Sequence, residues 1–446
     1  MKEYETFIFE SYVFDPKKGE ILLNYSLDGD IDFTETITLQ KEGLFTEGID
    51  PELLDRALFA LHLIGGVSYY KTCCPKNIKI KSGKLTEEQA KFWNTVYTKG
   101  LGEFFYKNDL DFEGLINFSS DATEEPKSIE IEELHNRVLV PVGGGKDSIV
   151  TIELLKDMGV DCVLFRIGKH KLIDATAKEA KLPLINVERK LSPELLRLNE
   201  EGALNGHVPI SAYLSFLSMI TSLLYGFDYI VLSCERSANE GNVEYKGHKI
   251  NHQWSKSLEF ERMLQKYISS YITPSIECVS LLRPMSELNI AQIFSTHPKY
   301  FPHMTSCNAN WRITDEKPKE KWCGHCPKCA FAFSQLAAFL PKDQLLKIFG
   351  KNLFEDESLI PLYKQLLGLE GFKPFECVGT PEETTAAMLL AAVSGDLIET
   401  PVMQMFLADK AVNLVDDAEK IVQDVLTPTE DHAMSEKFLM YLDGNK

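Results

Sequence analysis

Three consecutive glycines followed by Lys146, Asp147 and Ser148 carry the clearest chemistry in this sequence of 446 residues. We call residues 143–148 the glycine loop. An apolar run typical of a buried strand precedes it, and an apolar pattern of helical spacing follows it. Glycines let a backbone curl close to a phosphate, and the unpaired N–H groups of a helix start attract it. Asp147 is placed to hold a metal bound to pyrophosphate, so the segment predicts a phosphate site.

Two familiar phosphate-binding motifs do not fit the glycine loop. The Walker A motif needs a glycine where this chain has Val140, and it needs Ser or Thr where Asp147 follows Lys146. The dinucleotide fingerprint needs a glycine at the position of Ser148. The loop resembles instead the pyrophosphatase loop, usually Ser-Gly-Gly-x-Asp-Ser, of enzymes that split ATP between its α and β phosphates. Gly143 replaces the usual serine, and an ordinary glycine turn is the alternative interpretation.

The composition limits the classes of function. Hydrophobic residues make up 44% of the chain, which predicts a globular protein, and its length suits two or three domains. The formal net charge of -19 argues against a nucleic-acid partner, because phosphate contacts need a basic surface. We expect no signal peptide and no membrane partner, hence a cytoplasmic protein, because no long uncharged run occurs.

The second strong signal is a cysteine knuckle, Cys323-Gly324-His325-Cys326-Pro327-Lys328-Cys329. This spacing supplies three thiolates from a tight turn, and Cys307 upstream is the natural fourth. Four thiolates around zinc form a closed structural site, so we expect structural Zn²⁺ on Cys307, Cys323, Cys326 and Cys329. An iron–sulfur cluster, a redox-active thiol and buried reduced cysteines are the alternatives, and His325 is a candidate substitute ligand.

The elements that must position these residues follow from the hydrophobic pattern. Short β-rich runs form a predicted meander in the first forty residues, and strands alternate with helices from residue 137. We predict an α/β fold with a doubly wound parallel sheet of the ATP pyrophosphatase (adenine nucleotide alpha hydrolase-like) type. The predicted domains are an N-terminal α+β domain (1–130), the pyrophosphatase-loop domain ending in the knuckle (131–340) and a helical C-terminal region (341–446).

Ligands of such sheets bind beyond the carboxyl ends of the strands, which adds candidates to the glycine loop. Arg166 ends one predicted strand, and Glu235 and Arg236 follow another, where a surface ion pair is the structural alternative. The residues expected to bind ATP are Gly143, Gly144, Gly145, Lys146, Asp147, Ser148, Arg166, Glu235 and Arg236.

Polar segments between the predicted elements supply the catalytic candidates His207, His252, Lys256 and Arg283. The segment 251–257 concentrates Asn, His, Gln, Trp and Lys, which favours a ligand-facing loop over a solvated one. His207 precedes a long apolar helix, where a capping role is equally expected. Arg283 lies just ahead of a helix and suits a phosphate or carboxylate by bidentate pairing, with packing over the linker as the alternative.

Taken together, these motifs resemble the UDP-N-acetyl-alpha-D-muramoyl-L-alanyl-L-glutamate epimerases of bacterial peptidoglycan synthesis. The segments that carry the resemblance are, in chain order, residues 68–71, 140–148, 205–209, 235–237, 251–256, 283–284, 306–308, 322–329 and 375–379. The resemblance implies an ATP- and Mg²⁺-dependent inversion of the terminal L-glutamate of a nucleotide-sugar dipeptide to D-glutamate. AMP and pyrophosphate would be released, and the chain would be an isomerase.

The resemblance also implies roles for the candidates. The glycine loop would cradle pyrophosphate, Asp147 would help to hold Mg²⁺, and Arg283 or Lys256 would neutralise phosphate charge. Adenylation removes the charge of the α-carboxylate, so the neighbouring Cα proton becomes acidic enough for a protein base. The sequence does not single out that base, and the candidates are His207, His252, Cys307 and Lys71.

Two other functions remain open at this point. One is another adenylating enzyme with this loop, such as a 7-cyano-7-deazaguanine synthase or a tRNA-thiolating enzyme, although the acidic composition counts against an RNA substrate. The other is a non-enzymatic nucleotide sensor or zinc scaffold, against which the intact Asp147-Ser148 pair counts. The oligomeric state is not predicted.

Overall fold

The structure, a computed structural model, describes residues 3–45, 48–311, 320–414 and 416–444. Its largest element is a nine-stranded, mostly parallel sheet with helices packed on it, which confirms the predicted α/β class. The strands are β1 (Thr6–Asp15), β2 (Glu20–Leu27), β3 (Ile31–Thr38), β4 (Asn77–Ile80), β5 (Val138–Pro141), β6 (Cys162–Ile167), β7 (Leu184–Lys190), β8 (Tyr229–Leu232), β9 (Val243–Tyr245), β10 (His248–Ile250) and β11 (Glu277–Ser280). The sheet order is β11-β8-β5-β6-β7-β3-β2-β1-β4, and β9 and β10 form a separate two-stranded ribbon.

Helices connect and cover these strands. The α-helices are α1 (Pro51–Gly65), α2 (Val67–Tyr70), α3 (Glu87–Gly100), α4 (Gly102–Lys107), α5 (Lys146–Asp157), α6 (Lys171–Ala180), α7 (Pro193–Glu200), α8 (Ile210–Tyr225), α9 (Leu258–Tyr271), α10 (Glu287–Ser295), α11 (Pro327–Ala337), α12 (Lys342–Phe349), α13 (Ile360–Leu366), α14 (Pro381–Ser394), α15 (Pro401–Asp409), α16 (Ala418–Leu426) and α17 (Glu436–Gly444). Short 3-10 turns span Arg236–Asn239, Trp254–Lys256, Pro298–His303, Asn308–Trp311, Leu353–Glu355, Glu357–Leu359 and Ala411–Asn413. No helix in the described ranges is both long and apolar enough to cross a membrane.

Local sequence explains where several helices begin and end. The Asp50 side chain accepts backbone N–H bonds at the start of α1, and Thr86 forms a capping box with Gln89 at the start of α3. Thr380 caps α14 in the same way. Gly226 ends α8 in the left-handed conformation that glycine adopts without strain. These signals fix the helices against which the sheet packs.

The parallel half of the sheet contains a topological switch point. The chain runs from β5 to β6 to β7 in one direction, then returns to place β8 on the other side of β5 and β11 beyond it. Connections therefore leave the ends of β5 and β8 toward opposite sides, and a crevice opens at their carboxyl ends. This is where the sheet is expected to present a ligand.

Alternate residues of β5 pack into two different cores, as a strand covered on both faces requires. Leu139 belongs to a core that includes the meander and α8, whereas Val138 and Val140 belong to a core with α5 and α11. Helices therefore cover both faces of this part of the sheet, which matches the doubly wound arrangement expected from the alternation of strands and helices.

The predicted boundary at residue 130 does not separate two sheets. β3 of the N-terminal meander pairs antiparallel with β7 of the parallel half, with Thr36 opposite Lys190. Buried Glu35 forms an ion pair with Arg189 at 2.8 Å and accepts the hydroxyl of Tyr213 at 2.6 Å. The meander closes the free edge of the parallel sheet, so residues on both sides of the predicted boundary contribute to one sheet and to one of its two cores. Beyond residue 340, the regular elements of the described residues are helices, as the sequence predicts.

Candidate active site

A cavity of about 310 Å³ lies at the switch point of the sheet. Pro141 lines it from the end of β5 and Leu232 from the end of β8. The glycine loop lines the same cavity, together with Lys256 and Cys377. Because phosphate-binding loops of α/β sheets occupy this position, we take the cavity as the candidate active site.

The backbone of the glycine loop has the form that its sequence predicts. Gly145 is the N-cap of α5 and no side chain caps the helix, so the first N–H groups of α5 are available to an anion. Gly144 has φ +76, and a Cβ added there would lie 2.8 Å from the ring of Trp311. Its carbonyl accepts the N–H of Thr305 at 3.1 Å. Only glycine fits this position without strain.

Gly143, where the related loops carry serine, lies in open space. A Cβ built there has no neighbour within 4 Å, and its φ is not positive. A serine is therefore sterically compatible with the loop of this chain. The loop of this chain therefore lacks a side-chain hydroxyl at this position, while the backbone N–H groups at the start of α5 stay available.

Three carboxylates meet beside the glycine loop. Oxygens of Asp147, Glu235 and Glu287 lie within 4.8 Å of one another. The buried ammonium of Lys146 contacts Asp147 at 2.6 Å and also contacts Glu287. Asp147 and Glu235 were sequence candidates, whereas Glu287, the first residue of α10, was not. Oxygen ligands in this number suit Mg²⁺.

Arg283 was expected to reach the phosphates, and the structure gives its guanidinium other partners. The side chain is 1% exposed and donates to Glu261 at 2.7 and 3.1 Å. It also donates to the backbone carbonyls of Glu235 at 2.7 Å and Lys256 at 2.6 Å. Burial of the guanidinium requires these pairings. Arg283 therefore positions two site residues and does not line the cavity.

Two further candidate arginines also lie outside the described lining of the cavity. Arg166 pairs with Asp174 at 2.7 Å and donates to Asn186 at 2.9 Å, which secures the segment after β6. Arg236 donates to the carbonyls of Val425 and Thr427 at the end of α16. Each guanidinium is committed to protein acceptors, because these strand-end loops pack against neighbouring helices. Direct binding of ATP by either residue remains a prediction that this geometry does not favour.

The two candidate histidines lie together on one buried carboxylate. His252 Nδ1 contacts Glu103, which is 4% exposed on α4, and His207 Nδ1 lies 3.5 Å from the same carboxylate. The two imidazole rings are 4.5 Å apart. Burial lowers the pKa of His207 to about 3. Burial opposes charge on His252 too, but bonds to Cys377 and Glu103 raise its pKa to about 9.

Cys377 joins this cluster to the cavity, although it was not among the sequence candidates. Its Sγ lies 3.8 Å from His252 Nε2 and 3.6 Å from Lys256 Nζ. The signal in the sequence was the segment 375–379, one of those that carry the family resemblance. Lys71, another candidate base, donates to Asn205 at 2.7 Å and is not among the residues that line the cavity.

Buried polar bonds fix the loop of His252 against the loop of Cys377. Asn242 accepts the backbone N–H of His252 at 2.8 Å and donates to the carbonyl of Pro374 at 2.8 Å. The Gln253 side chain donates to the carbonyl of Val378 at 3.3 Å. Residues more than a hundred positions apart are thereby held in contact.

The four predicted zinc ligands come together as a cluster. The Sγ atoms of Cys307, Cys323, Cys326 and Cys329 all lie within 4.8 Å of one another. Cys329 lies 3.4 Å from Cys326 and 3.7 Å from Cys323, and tetrahedral zinc with Zn–S bonds of about 2.3 Å needs sulfur separations of about 3.8 Å. His325 is exposed and bonds to the carbonyl of Cys323 at 2.9 Å, outside the cluster. The donor set fits structural zinc.

Comparison with known proteins decides the family. The family description MurL N-terminal domain matches residues 1–281, and MurL C-terminal domain matches residues 303–421. The chain belongs to the MurL family. The N-terminal match contains the glycine loop, both histidines and Lys256, whereas the C-terminal match contains the cysteine cluster and Cys377. The candidate active site of this family member is therefore built from both matched regions.

Three relatives share the name UDP-N-acetyl-alpha-D-muramoyl-L-alanyl-L-glutamate epimerase. That of Xanthomonas oryzae pv. oryzae is 40% identical over 407 residues, which cover 91% of this chain and 90% of the relative. That of a Micromonospora species is 38% identical over 435 residues, with coverage of 97% and 96%. That of Salinispora tropica is 38% identical over 406 residues, with coverage of 90% and 88%. The similarity therefore extends over nearly the whole chain.

Proposed function

We propose that this chain inverts the terminal L-glutamate of UDP-N-acetyl-alpha-D-muramoyl-L-alanyl-L-glutamate to D-glutamate, with cleavage of ATP to AMP and pyrophosphate. One observation carries the proposal: the glycine loop opens into the same cavity as Lys256 and Cys377. A phosphate site and groups suited to proton chemistry therefore share one space. The names of the three relatives support the substrate and the reaction. A role in peptidoglycan precursor synthesis is part of the same proposal.

The chemistry explains why an epimerase would contain a phosphate loop. Removal of a proton beside a carboxylate creates a second negative charge next to the first. An acyl-adenylate has no such charge on the acyl group, and its carbonyl accepts the electron pair of the broken C–H bond. The loop would bind the phosphates at the start of α5, where backbone N–H groups stabilise negative charge.

The cluster of Asp147, Glu235 and Glu287 supports a role for Mg²⁺ in this reaction. Three carboxylates converge there, and Lys146 pairs with two of them, Asp147 and Glu287. These residues would hold Mg²⁺ when ATP is bound, and the ion would neutralise charge on the pyrophosphate. Lys146 would then be free to turn toward a phosphate, as its position at the first turn of α5 favours.

The cysteine cluster supports a structural zinc in the proposed enzyme. Its four sulfurs leave no open position for a substrate, which distinguishes a closed structural site from a catalytic one. Two hydrogen bonds join the cluster to the loop: the Cys307 N–H donates to the Thr305 hydroxyl at 3.2 Å, and the Thr305 N–H donates to the Gly144 carbonyl. The fold type of ATP pyrophosphatases, with its cofactors, is part of the same proposal.

The test is to incubate the purified protein with the nucleotide-sugar dipeptide, ATP and Mg²⁺, and to measure AMP and the chirality of the glutamate. We expect at least one AMP molecule to be released for each glutamyl residue that is inverted. Asp147→Ala should lower AMP formation by about 100-fold or more with an unchanged circular dichroism spectrum. Asp157→Ala, at the exposed end of the same helix, is the matched control and should be unaffected. Unchanged L-glutamate with no AMP from the wild type would refute the proposal.

A further inference from the structure

The side chain of Cys377 is the point at which the buried histidine cluster meets the candidate active site. The thiol is half-buried and lines the cavity, and its Sγ approaches a nitrogen of the His252 ring. Its neighbours are His252 at 3.8 Å and Lys256 at 3.6 Å, both at Sγ. Two nitrogen groups therefore face one sulfur beside the glycine loop.

A carboxylate on the far side of His252 completes a chain of three groups. Glu103 contacts Nδ1 of His252, so Nε2 is the nitrogen that faces Cys377. A buried carboxylate in this place fixes the orientation of the imidazole and favours its protonated form. Lys107 also pairs with Glu103, which keeps the carboxylate ionised. Cys377, His252 and Glu103 thus have the order of a thiolate–imidazolium–carboxylate relay.

Three other ionisable groups that line the cavity are less suited to accept a proton from carbon. Lys146 is held between two carboxylates. The negative charge of Cys377 holds the pKa of Lys256 well above its usual range, so Lys256 stays protonated. Burial raises the pKa of the Cys234 thiol to about 11. These groups carry a proton already at neutral pH.

Cys377 differs from these groups in its electrostatic surroundings. Burial alone would raise the pKa of its thiol, but the positive charges of Lys256, Lys328 and His252 outweigh burial and hold that pKa well below its usual value. These surroundings therefore favour the thiolate form of Cys377. An unprotonated base, held in place and facing the phosphate site, is what proton removal from an activated acyl group needs.

We propose that Cys377, oriented by His252 and Glu103, removes the Cα proton from one face of the activated glutamyl residue. This inference rests on the proposed function and adds to it the identity of a catalytic residue. The C–H bond breaks, its electron pair moves into the adjacent acyl carbonyl, and the proton forms an S–H bond at Cys377. A different donor then protonates the opposite face of Cα, and the thiol returns its proton to solvent.

The experiment compares two partial reactions of the full-length protein in D₂O. Wild type should release AMP and place deuterium at Cα of the glutamyl residue. Cys377→Ser should still release AMP at a rate within about threefold of wild type, since the glycine loop is untouched, but should lose deuterium exchange by about 100-fold or more. Cys73→Ser is the matched control: Cys73 is also half-buried and free, lies outside the cavity as described, and should retain both reactions.

Each contrary result identifies a different error. Undiminished deuterium exchange in Cys377→Ser would overturn the proposed role, and so would a glutamyl thioester on Cys377 in intact-protein mass spectra, which would make it a nucleophile instead. Loss of AMP release in a folded Cys377→Ser variant would overturn it in favour of ATP positioning. Absence of AMP from wild type would refute the proposed function itself, which separates that failure from a failure of Cys377.

Discussion

Replacement of Glu103 by glutamine tests the electrostatics of the buried cluster most directly. The substitution keeps the shape of the side chain but removes the charge that contacts His252. Glu103 is 4% exposed, so little solvent screens the interaction. We therefore expect a measurable change in both the pKa of His252 and the free energy of unfolding.

The magnitude follows from the pKa of His252. A rise from 6.5 to about 9 corresponds to ~3 kcal/mol, at about 1.4 kcal/mol for each unit. Bonds and charges from both Cys377 and Glu103 produce this rise against the effect of burial, so roughly half belongs to Glu103. Glu103→Gln should therefore lower the pKa of His252 by about one unit and destabilise the protein by ~1–2 kcal/mol at pH 6.

The sign of the pH dependence is fixed by the raised pKa. A histidine whose pKa is raised in the folded state stabilises that state below pH 6.5, and loses this contribution as the pH rises through about 9. The stability difference between wild type and Glu103→Gln should thus be full at pH 6 and small at pH 10. Titration of Glu103 itself does not contribute between pH 6 and pH 10. Burial would raise the pKa of this carboxyl group, but the charges and bonds of His252 and Lys107 outweigh burial and lower that pKa to about 2.

Two measurements check this expectation. Imidazole NMR titrations of wild type and variant, with His252→Gln to assign the resonance, give the pKa directly. Denaturant unfolding at pH 6 and pH 10 gives the stability difference. Glu88→Gln is the control: solvent screens its exposed pair with Lys91 at 3.0 Å, so this substitution should change stability little and without this pH dependence. A wild-type His252 that titrates at or below 6.5, or a stability difference that persists at pH 10, would refute the reasoning.

The remaining predictions concern the glycine loop and the cysteine cluster. Gly143→Ser should be tolerated, because a Cβ there has no neighbour within 4 Å. The added hydroxyl should lower the KM for ATP by up to about tenfold through one hydrogen bond to a charged phosphate. A raised KM would contradict this expectation. Gly144→Ala should lower stability by roughly 1–2 kcal/mol from its positive φ alone, with further loss from contact with Trp311, as thermal unfolding beside the control Gly143→Ala would measure. Cys326→Ser should weaken zinc binding by at least about 10-fold in a chelator competition, and it should impair ATP binding. Equal zinc content in wild type and Cys326→Ser would exclude a ligand role for Cys326.

The parts of the fold that rest on local pattern could be predicted from the sequence. The long apolar helix expected after His207 is α8, and the strand and helix expected around the glycine loop are β5 and α5. The hydrophobic pattern does not predict β11. β11 is only four residues long, Glu277–Ser280, and its pairing with β8 rather than its own sequence makes it a strand. Short elements of this kind depend on tertiary contacts.

Long-range contacts explain the remaining differences. The pairing of β3 with β7 joins residues about 150 positions apart, and nothing in either strand specifies that edge. Cys377 is separated by 125 positions from His252 and by 121 from Lys256, so its role becomes visible only when the loops meet. Arg283 has the residue type of a phosphate ligand, but Glu261 pairs with it across 22 positions and buries it. Residue type alone does not distinguish a residue that binds a ligand from one that positions its protein neighbours.

The position of the cysteine cluster explains why a closed metal site would matter to an enzyme that does no chemistry on the metal. Cys307 directly precedes the turn Asn308–Trp311, whose last residue lies over Gly144, and the Thr305 N–H donates to the carbonyl of the same glycine. A metal that holds Cys307 would hold this segment against the glycine loop from outside. Phosphate positioning tolerates displacements of only a fraction of an ångström. A structural ion is therefore a direct way to keep a glycine-rich backbone, which has little conformational preference of its own, in one form.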